Sequence, residues 1–191
     1  MRITGGALAG RKVEVPEGEI RPAMDRMRES VFAVLGDLSG FSFLDIFSGS
    51  GVIALEAASR GAGPVEAVEK DPVKRRILLK NISISPVRIN CRFISAELYI
   101  ARAKKTFDII FCDPPFPYKY KGDLLKSIAV SPLVHPGSRI LLHRPREDNY
   151  SEIKGSSAES SLGHSFGLSL EISKVYGRSV VDFFIFSEKN S

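Results

Sequence analysis

The chain lacks the features that mark secreted, membrane-spanning and metal-binding proteins. It has no apolar run long enough to cross a bilayer, and its first residues, MRITGGALAGRK, contain no apolar signal core. Cys91 and Cys112 are the only cysteines and lie in apolar segments, so we expect buried, reduced thiols. The chain has three histidines, His135, His143 and His164. Their spacing from the two cysteines is not that of a metal site. These absences predict a cytoplasmic protein with no metal site and no membrane association.

The composition is that of a globular protein with a positive charge. A length of 191 residues and a hydrophobic content of 43% are enough for one sizeable core. The net charge is +5 and the pI is about 9.3. This balance is compatible with a polyanionic partner such as nucleic acid, but it does not identify one.

Hydrophobic periodicity separates an N-terminal segment, residues 1–37, from a core of residues 38–191. In the segment, RITGGALAGRKVEVP has turn glycines between short alternating runs, which predicts a β-hairpin. The apolar residues of IRPAMDRMRESVFAVLG recur at helical spacing. Near the other end of the chain, Asp148 to Gly167 is rich in serine and glycine. It is predicted to be a long loop, either a plain surface excursion or a lid.

The core alternates strands and helices. Strands are predicted in FSFLDIF, PVEAVEK, CRFI, FDIIFC and SRILLHR. Helices are predicted in SGVIALEAASRGA, DPVKRRILLKNIS, ELYIARAKK and YKGDLLKSIAVSPLV, with Asp71 as the cap of the second. LSLEISKVYG and RSVVDFFIFSE form a terminal hairpin. The pattern predicts an α/β fold, a mostly parallel sheet with helices on both faces and an antiparallel terminal strand.

Three strand ends carry candidate site residues, because ligands of open α/β sheets bind beyond the carboxyl ends of the strands. The first is DIFSGSG, where Gly49 and Gly51 permit a tight turn and close approach of a ligand. The second is Glu69, which can accept hydrogen bonds from two vicinal hydroxyls. Together they also match a dinucleotide fingerprint, although Asp45 would lie unfavourably near a pyrophosphate. A plain βα turn and a solvated strand end are the simpler alternatives.

The third strand end is DPPF in FDIIFCDPPF. Prolines end strands and Asp-Pro is common turn chemistry, so a structural explanation exists. A chemical explanation is that Asp113 and the Pro114 carbonyl accept hydrogen bonds from an amino group, while rigid prolines keep both acceptors aimed. Phe116 would then offer a face on which an extruded base stacks.

These motifs together resemble the Rossmann-like S-adenosylmethionine-dependent methyltransferases. With RITGG, GRK, RP-x-x-DR-x-RE-x-x-F, LDIFSGSGVIALEAASRGA and DPPF, the chain resembles the bacterial small-subunit (16S) ribosomal RNA guanine-N(2) methyltransferase family. The likeness covers about the first two thirds of the chain well. It implies a seven-stranded Rossmann-like methyltransferase fold with an N-terminal hairpin and helix. It also implies transfer of a methyl group from S-adenosylmethionine to the exocyclic amino group of a guanine in 16S ribosomal RNA.

The resemblance implies three sets of site residues. The catalytic loop comprises Asp113, Pro114, Pro115 and Phe116. The cofactor-binding residues are Asp45, Phe47, Gly49, Ser50, Gly51, Glu69, Lys70, Ser95, Ala96 and Asp113. The RNA-binding residues are Arg2, Arg11, Lys12, Arg21, Arg26 and Arg28. The chain departs from the family at Ser95, where Asp or Asn is usual, at Ala23, where Thr is usual, and at His143 and Arg144, where an acid is frequent.

The implied partner is ribosomal RNA or a small-subunit particle, and we expect a monomer. Other substrates have the same geometric demand, namely adenine in DNA or a glutamine amide in a protein. A nicotinamide-dependent oxidoreductase and a non-catalytic RNA-binding module are the competing classes.

Overall fold

The computed structural model describes residues 1–15, 22–148 and 167–187. The chain forms two compact units, Met1–Ala96 and Glu97–Ser191. The described residues contain seven β-strands, most of them parallel to their neighbours, as the sequence predicts. The assignment of residues 1–37 to RNA contact and of residues 38–191 to the methyltransferase domain stays a prediction.

The first unit alternates helices with three parallel strands. In chain order its elements are α1 (Pro22–Leu35), β1 (Phe43–Ile46), α2 (Val52–Ser59), β2 (Val65–Val68), α3 (Arg75–Ile82) and β3 (Ile89–Arg92). The strand order is β3-β2-β1, with Phe43 beside Val65 and Val65 beside Ile89. Every residue of β1 and β2 is buried, as expected of parallel strands covered on both faces.

The second unit contains the remaining four strands. Helix α4 (Ala96–Ala101) begins at the last residue of the first unit and is followed by β4 (Ile109–Cys112), α5 (Lys121–Ala129), β5 (Arg139–Pro145), β6 (Leu168–Tyr176) and β7 (Ser179–Phe186). The strand order is β4-β5-β7-β6. Strands β4 and β5 are parallel, whereas β7 is antiparallel to both of its neighbours. The predicted terminal hairpin is therefore confirmed.

The N-terminal hairpin is much reduced from its prediction. Residues 1–13 form a loop closed by one isolated antiparallel bridge between Arg2 and Lys12, with a 3-10 turn at Gly6–Leu8. A Cβ on Gly6 would overlap the Ser59 carbonyl. The Ser59 hydroxyl accepts from Leu8 N at 2.8 Å and donates to Gly5 O at 2.6 Å. Besides this contact with the end of α2, backbone hydrogen bonds from Ile3 N to Arg11 O at 2.9 Å and from Val13 N to Met1 O at 3.0 Å join the two arms of the loop.

Several element boundaries and one cysteine differ from expectation; helix α5, for example, ends at Ala129, five residues before the end of the predicted YKGDLLKSIAVSPLV. Helix α3 begins at Arg75 and not at Asp71, because Asp71 closes a turn by accepting from Val73 N at 2.9 Å. Strand β3 begins at Ile89, two residues before the predicted CRFI. Cys112 is buried as expected, but Cys91 is only half-buried.

The described residues contain neither a helix that could cross a membrane nor a candidate metal cluster. No helix there is long and apolar enough to cross a membrane. Nor do residues 1–15, 22–148 and 167–187 contain a group of three or more His, Cys, Asp or Glu side chains that could hold a metal ion. The predicted loop from Asp148 to Gly167 falls almost entirely outside the described residues.

Candidate active site

The glycine loop between β1 and α2 is shaped by backbone conformations that side chains rarely adopt. Phe47, Gly49 and Gly51 have φ values of 68°, 56° and 79°, in the left-handed region that favours glycine. A Cβ on Gly51 would lie 3.3 Å from a methyl carbon of Ile82, so this glycine also packs tightly. Among the described residues, a Cβ on Gly49 would meet no atom nearer than the Phe47 carbonyl at 4.0 Å. The backbone at Gly49 is therefore open to a ligand.

Asp45 holds this loop in place through two hydrogen bonds. Its side chain is 1% exposed, and Oδ2 accepts from Ser48 Oγ at 2.7 Å and from Ala54 N at 3.1 Å. The second bond caps the first turn of α2, where a negative charge is favourable. Direct contact of Asp45 with a cofactor stays a prediction.

Glu69 connects the carboxyl ends of β1 and β2. It is 7% exposed, and its Oε2 accepts from Gly49 N at 2.7 Å while Oε1 accepts from Asp71 N at 2.8 Å. Because each carboxylate oxygen has a further acceptor site, the fixed carboxylate can still receive hydrogen bonds from two hydroxyls. Its neighbour Lys70 is exposed, and further along the chain Ser95 is half-buried and Ala96 buried.

Asn81 supports the same loop and was missed by sequence reasoning. Its side chain is 4% exposed. Nδ2 donates to the carbonyls of Ser50 and Glu14, both at 2.8 Å, and Oδ1 accepts from Glu14 N at 2.9 Å. One amide therefore fastens the N-terminal segment to the glycine loop. Nothing in RRILLKNIS distinguishes this asparagine from a solvated one.

The DPPF loop lies in the second unit, at the carboxyl end of β4. The register of β4 and β5 pairs Cys112 with Leu142, and the next residues, Asp113 and His143, meet with 2.7 Å between Oδ1 and Nδ1. Pro114 is buried and Pro115 exposed. Phe116 is 40% exposed and contacts the His143 ring edge-to-face, with 5.7 Å between ring centroids. Asp113 thus has a fixed carboxylate beside an accessible aromatic ring.

Lys121 holds the rest of this loop and was also missed. The residue is 5% exposed, and its Nζ donates to the Tyr118 carbonyl at 2.6 Å and the Phe116 carbonyl at 3.3 Å. It also forms an ion pair with Asp148 at 2.9 Å. The Tyr118 hydroxyl donates to Glu97 Oε1 at 2.9 Å. Burial, followed by this hydrogen bond, raises the pKa of Tyr118 well above its usual range.

The residues predicted to bind RNA differ in solvent exposure. Arg2, Arg11, Lys12 and Arg26 are exposed, and Arg21 lies outside the described residues. Arg28 is different, because it is 2% exposed. Its Nε donates to Glu56 Oε1 at 2.9 Å, and its Nη2 donates to the Arg2 carbonyl at 2.5 Å and pairs with Asp25 at 3.1 Å. For Arg28 the expectation is corrected, since a guanidinium buried on these partners is not available to phosphates.

Comparison with solved structures defines the class of fold. The chain is similar to the solved structure of yhhF from Escherichia coli, a protein described as a candidate methyltransferase. The two structures match with a TM-score of 0.82 and 25% sequence identity. The match covers 99% of this chain and 99% of that one. With seven mostly parallel strands and loops at their carboxyl ends, the chain has the Rossmann-like methyltransferase fold.

Comparison of sequences then identifies the family. The chain belongs to the family described as conserved hypothetical protein 95, whose model matches residues 1–161. Ribosomal RNA small subunit methyltransferase D of Escherichia coli K12 is 36% identical over 120 residues, which is 61% of this chain and 60% of that protein. The protein of the same name from Haemophilus influenzae is 28% identical over 158 residues, 77% of this chain and 80% of that protein. The match thus spans less than two thirds of the Escherichia coli relative.

Proposed function

We propose that this protein transfers a methyl group from S-adenosylmethionine to the exocyclic amino group of a guanine in small-subunit ribosomal RNA. The observation that carries the proposal is the Asp113 carboxylate, which follows β4, lies 2.7 Å from His143 and keeps 24% of its side chain exposed. The relatives named ribosomal RNA small subunit methyltransferase D support the choice of substrate. Whether the RNA is naked or in a particle, a monomeric state and a cytoplasmic location stay predictions from the sequence.

The glycine loop of the first unit fits the cofactor. The open backbone at Gly49 admits a ligand, and Glu69 presents a carboxylate already fixed by two backbone N–H groups to the ribose hydroxyls. Asp45 adds a negative charge next to the loop. This charge favours a ligand with an ammonium group over the pyrophosphate of a nicotinamide cofactor. When bound, S-adenosylmethionine would supply a methyl group carried on a sulfonium, from which a neutral thioether leaves.

The DPPF loop supplies what a guanine amino group needs in order to react. The nitrogen lone pair is delocalised into the ring, so the nitrogen must become pyramidal before it can attack. We assign Asp113 Oδ2 and the Pro114 carbonyl as acceptors for its two hydrogens. Acceptors that are fixed in advance need no reorganisation when positive charge develops on the nitrogen. Once the N–C bond has formed and the S–C bond has broken, Asp113 takes one proton from the nitrogen.

The RNA contacts follow from the exposed groups. Phe116, which is 40% exposed, offers a stacking face for a base that has left its helix. Such stacking contributes about 1–3 kcal/mol per base. Arg2, Lys12 and Arg26 are exposed cations of the first unit, and we assign them to phosphates.

The decisive experiment is transfer of tritiated methyl groups to small-subunit ribosomal RNA, followed by nucleoside analysis of the product. We expect N(2)-methylguanosine. Methylated adenine in DNA, or a methylated glutamine in protein, would place the same chemistry on another substrate. Turnover of a nicotinamide cofactor without any methyl transfer would contradict the proposal.

Asp113→Ala should slow single-turnover methyl transfer by about 100- to 10,000-fold, the usual range for a positioned proton acceptor. Cofactor and RNA should still bind, because the hydrogen bonds to Asp113 strengthen in the transition state. Asp113→Asn should fall between alanine and wild type, since its oxygen accepts a hydrogen bond but takes up no proton.

The matched control is Asp108→Asn. Asp108 precedes β4 and pairs with His135 at 3.0 Å, so it tests loss of an Asp–His pair at the other end of the same strand. This variant should transfer methyl groups at the wild-type rate. A well-folded Asp113→Ala protein within about tenfold of wild type would defeat the mechanism, because that lies below the acid–base range.

A further inference from the structure

Strand β4 has an aspartate–histidine pair at each end. At the carboxyl end, Asp113 Oδ1 lies 2.7 Å from His143 Nδ1. At the amino end, Asp108 Oδ1 lies 3.0 Å from His135 Nε2. The two histidines differ in burial, because the side chain of His143 is 4% exposed and that of His135 is 42% exposed. A surface pair of this kind needs no functional explanation, but a buried imidazole beside the candidate catalytic carboxylate does.

Contact with an ionised Asp113 carboxylate assigns the roles of the two ring nitrogens in His143. An ionised carboxylate can only accept hydrogen bonds, so Nδ1 donates its hydrogen to Asp113. In a neutral imidazole the other nitrogen then carries a lone pair. That atom, Nε2, is buried and has no hydrogen-bond partner in residues 1–15, 22–148 and 167–187. Buried polar atoms without partners are rare and each requires an explanation.

We propose that His143 is a positioning residue for the methyl transfer. The inference rests on the proposed function, since it assigns His143 to the same carboxylate. By donating to Oδ1, His143 fixes the rotation of Asp113 and leaves Oδ2 for the amino group of the base. When Oδ2 takes the proton from nitrogen, Oδ1 continues to accept from His143, so the imidazole keeps its own proton throughout. No further acceptor or oxidant is needed.

The same imidazole also fixes the stacking face. Its ring contacts Phe116 edge-to-face, with 5.7 Å between centroids and 68° between planes. Edge-to-face contact is a preferred arrangement of aromatic rings. His143 therefore holds two elements of the proposed site, the acceptor at Asp113 and the stacking surface at Phe116. The Asp113–His143 pair arises from the register of β4 and β5, so its two residues are far apart in the sequence.

Kinetics of two variants test this role. His143→Leu removes the donor, whereas His143→Asn places an amide N–H near the position of Nδ1. We expect His143→Leu to lower kcat by about 10- to 100-fold, by analogy with the loss of outer-shell groups that orient metal ligands. The KM values for RNA and cofactor should change little, because the loss is felt in the transition state. His143→Asn should recover most of kcat. His135→Leu is the matched control and should leave kcat unchanged.

A spectroscopic measurement tests the pairing without any turnover. The imidazole ¹⁵N shifts of the cofactor-free protein should show His143 with a hydrogen on Nδ1 and none on Nε2. The signal is assigned by its loss in His143→Asn, and it should move in Asp113→Ala. If wild-type protein transfers no methyl group, the proposed function fails, while the spectrum still decides the pairing. An Nε2–H tautomer, a kcat unchanged in His143→Leu, or equal losses in the Leu and Asn variants would overturn the inference.

Discussion

Glu56 is the residue on which the stability of the first unit depends most clearly. It lies in α2 with 0% exposure, and three donors converge on its carboxylate. Oε1 accepts from Thr4 N at 2.6 Å and from Arg28 Nε at 2.9 Å, and Oε2 accepts from Arg60 Nε at 3.5 Å. The substitution Glu56→Ala removes all three bonds and leaves the Arg28 guanidinium buried without this carboxylate.

The size of the effect follows from what the donors can do afterwards. Removing one partner of a buried ion pair costs about 3–5 kcal/mol. Arg28 keeps Asp25 at 3.1 Å and the Arg2 carbonyl, and Arg60 is 19% exposed and can reach water. We therefore expect the lower end, a loss of about 3 kcal/mol in the free energy of unfolding. This is a large fraction of the total for a typical domain, about 5–15 kcal/mol.

The assay is urea unfolding followed by circular dichroism, with a surface pair as control. Lys80 and Glu14 form an ion pair with side chains 65% and 49% exposed, so Glu14→Ala should cost less than about 1 kcal/mol.

The double substitution Arg28→Met/Glu56→Leu replaces the buried pair by apolar side chains and should cost less than Glu56→Ala alone. If Glu56→Ala unfolds at the same urea concentration as Glu14→Ala, the carboxylate does not hold the unit together and the reasoning is wrong.

Three further outcomes are expected. Glu69→Ala should weaken S-adenosylmethionine binding by about 1.5–3 kcal/mol, the scale of hydrogen bonds to a charged group, and a calorimetric dissociation constant equal to wild type would make Glu69 a structural residue. Arg26→Ala should reduce the slope of log affinity against log salt for ribosomal RNA by about 0.7–0.9 per lost phosphate contact, with cofactor affinity unchanged; an unaltered slope would exclude this contact. The pKa of Cys91 is raised to about 11 by burial and then by the charge of Asp45. Only about 0.1% of the thiol is therefore ionised at pH 8, and its alkylation by iodoacetamide should accelerate as the pH rises towards 11; rapid alkylation at pH 7 would contradict that environment.

The order of strands and helices could be predicted because the core strands are short, mostly apolar segments bounded by turn residues. FLDI, VEAV and IIFC are buried throughout, and their neighbours along the chain have helical periodicity. The start of α3 was placed too early because Asp71-Pro72 has the composition of a helix start, whereas here it forms a turn. Local sequence does not distinguish these two uses.

The side chains that organise the candidate site were predictable only where they lie within a strand, as Asp45 does, or directly after one. Glu69 and Asp113 are polar residues directly after apolar runs, so their location at strand ends could be inferred. Asn81, Lys121 and His143 could not be found in this way, because their partners are distant in sequence or are backbone carbonyls. Asn81, for example, bonds to Glu14, 67 residues away. Glu56 could have been noticed in the sequence, because it is the only charged residue in VIALEAAS.

The N-terminal stretch that carries the family resemblance is attached to the rest of the first unit by its own motif residues. Gly5 and Gly6 of RITGG pack against Ser59, and Arg28 binds Glu56. Both contacts are to α2, the helix that follows the glycine loop.

Asn81 adds a second connection, because it bonds to Glu14 near the end of the described N-terminal residues and to the Ser50 carbonyl within the glycine loop. The N-terminal loop is therefore connected through Asn81 to the backbone that we assign to cofactor binding. The motif's glycines and Arg28 serve this attachment, and the exposed cations Arg2, Lys12 and Arg26 are the ones that we propose for RNA contact. A resemblance carried by RITGG and Arg28 is therefore stronger evidence for the fold of the first unit than for the proposed RNA substrate.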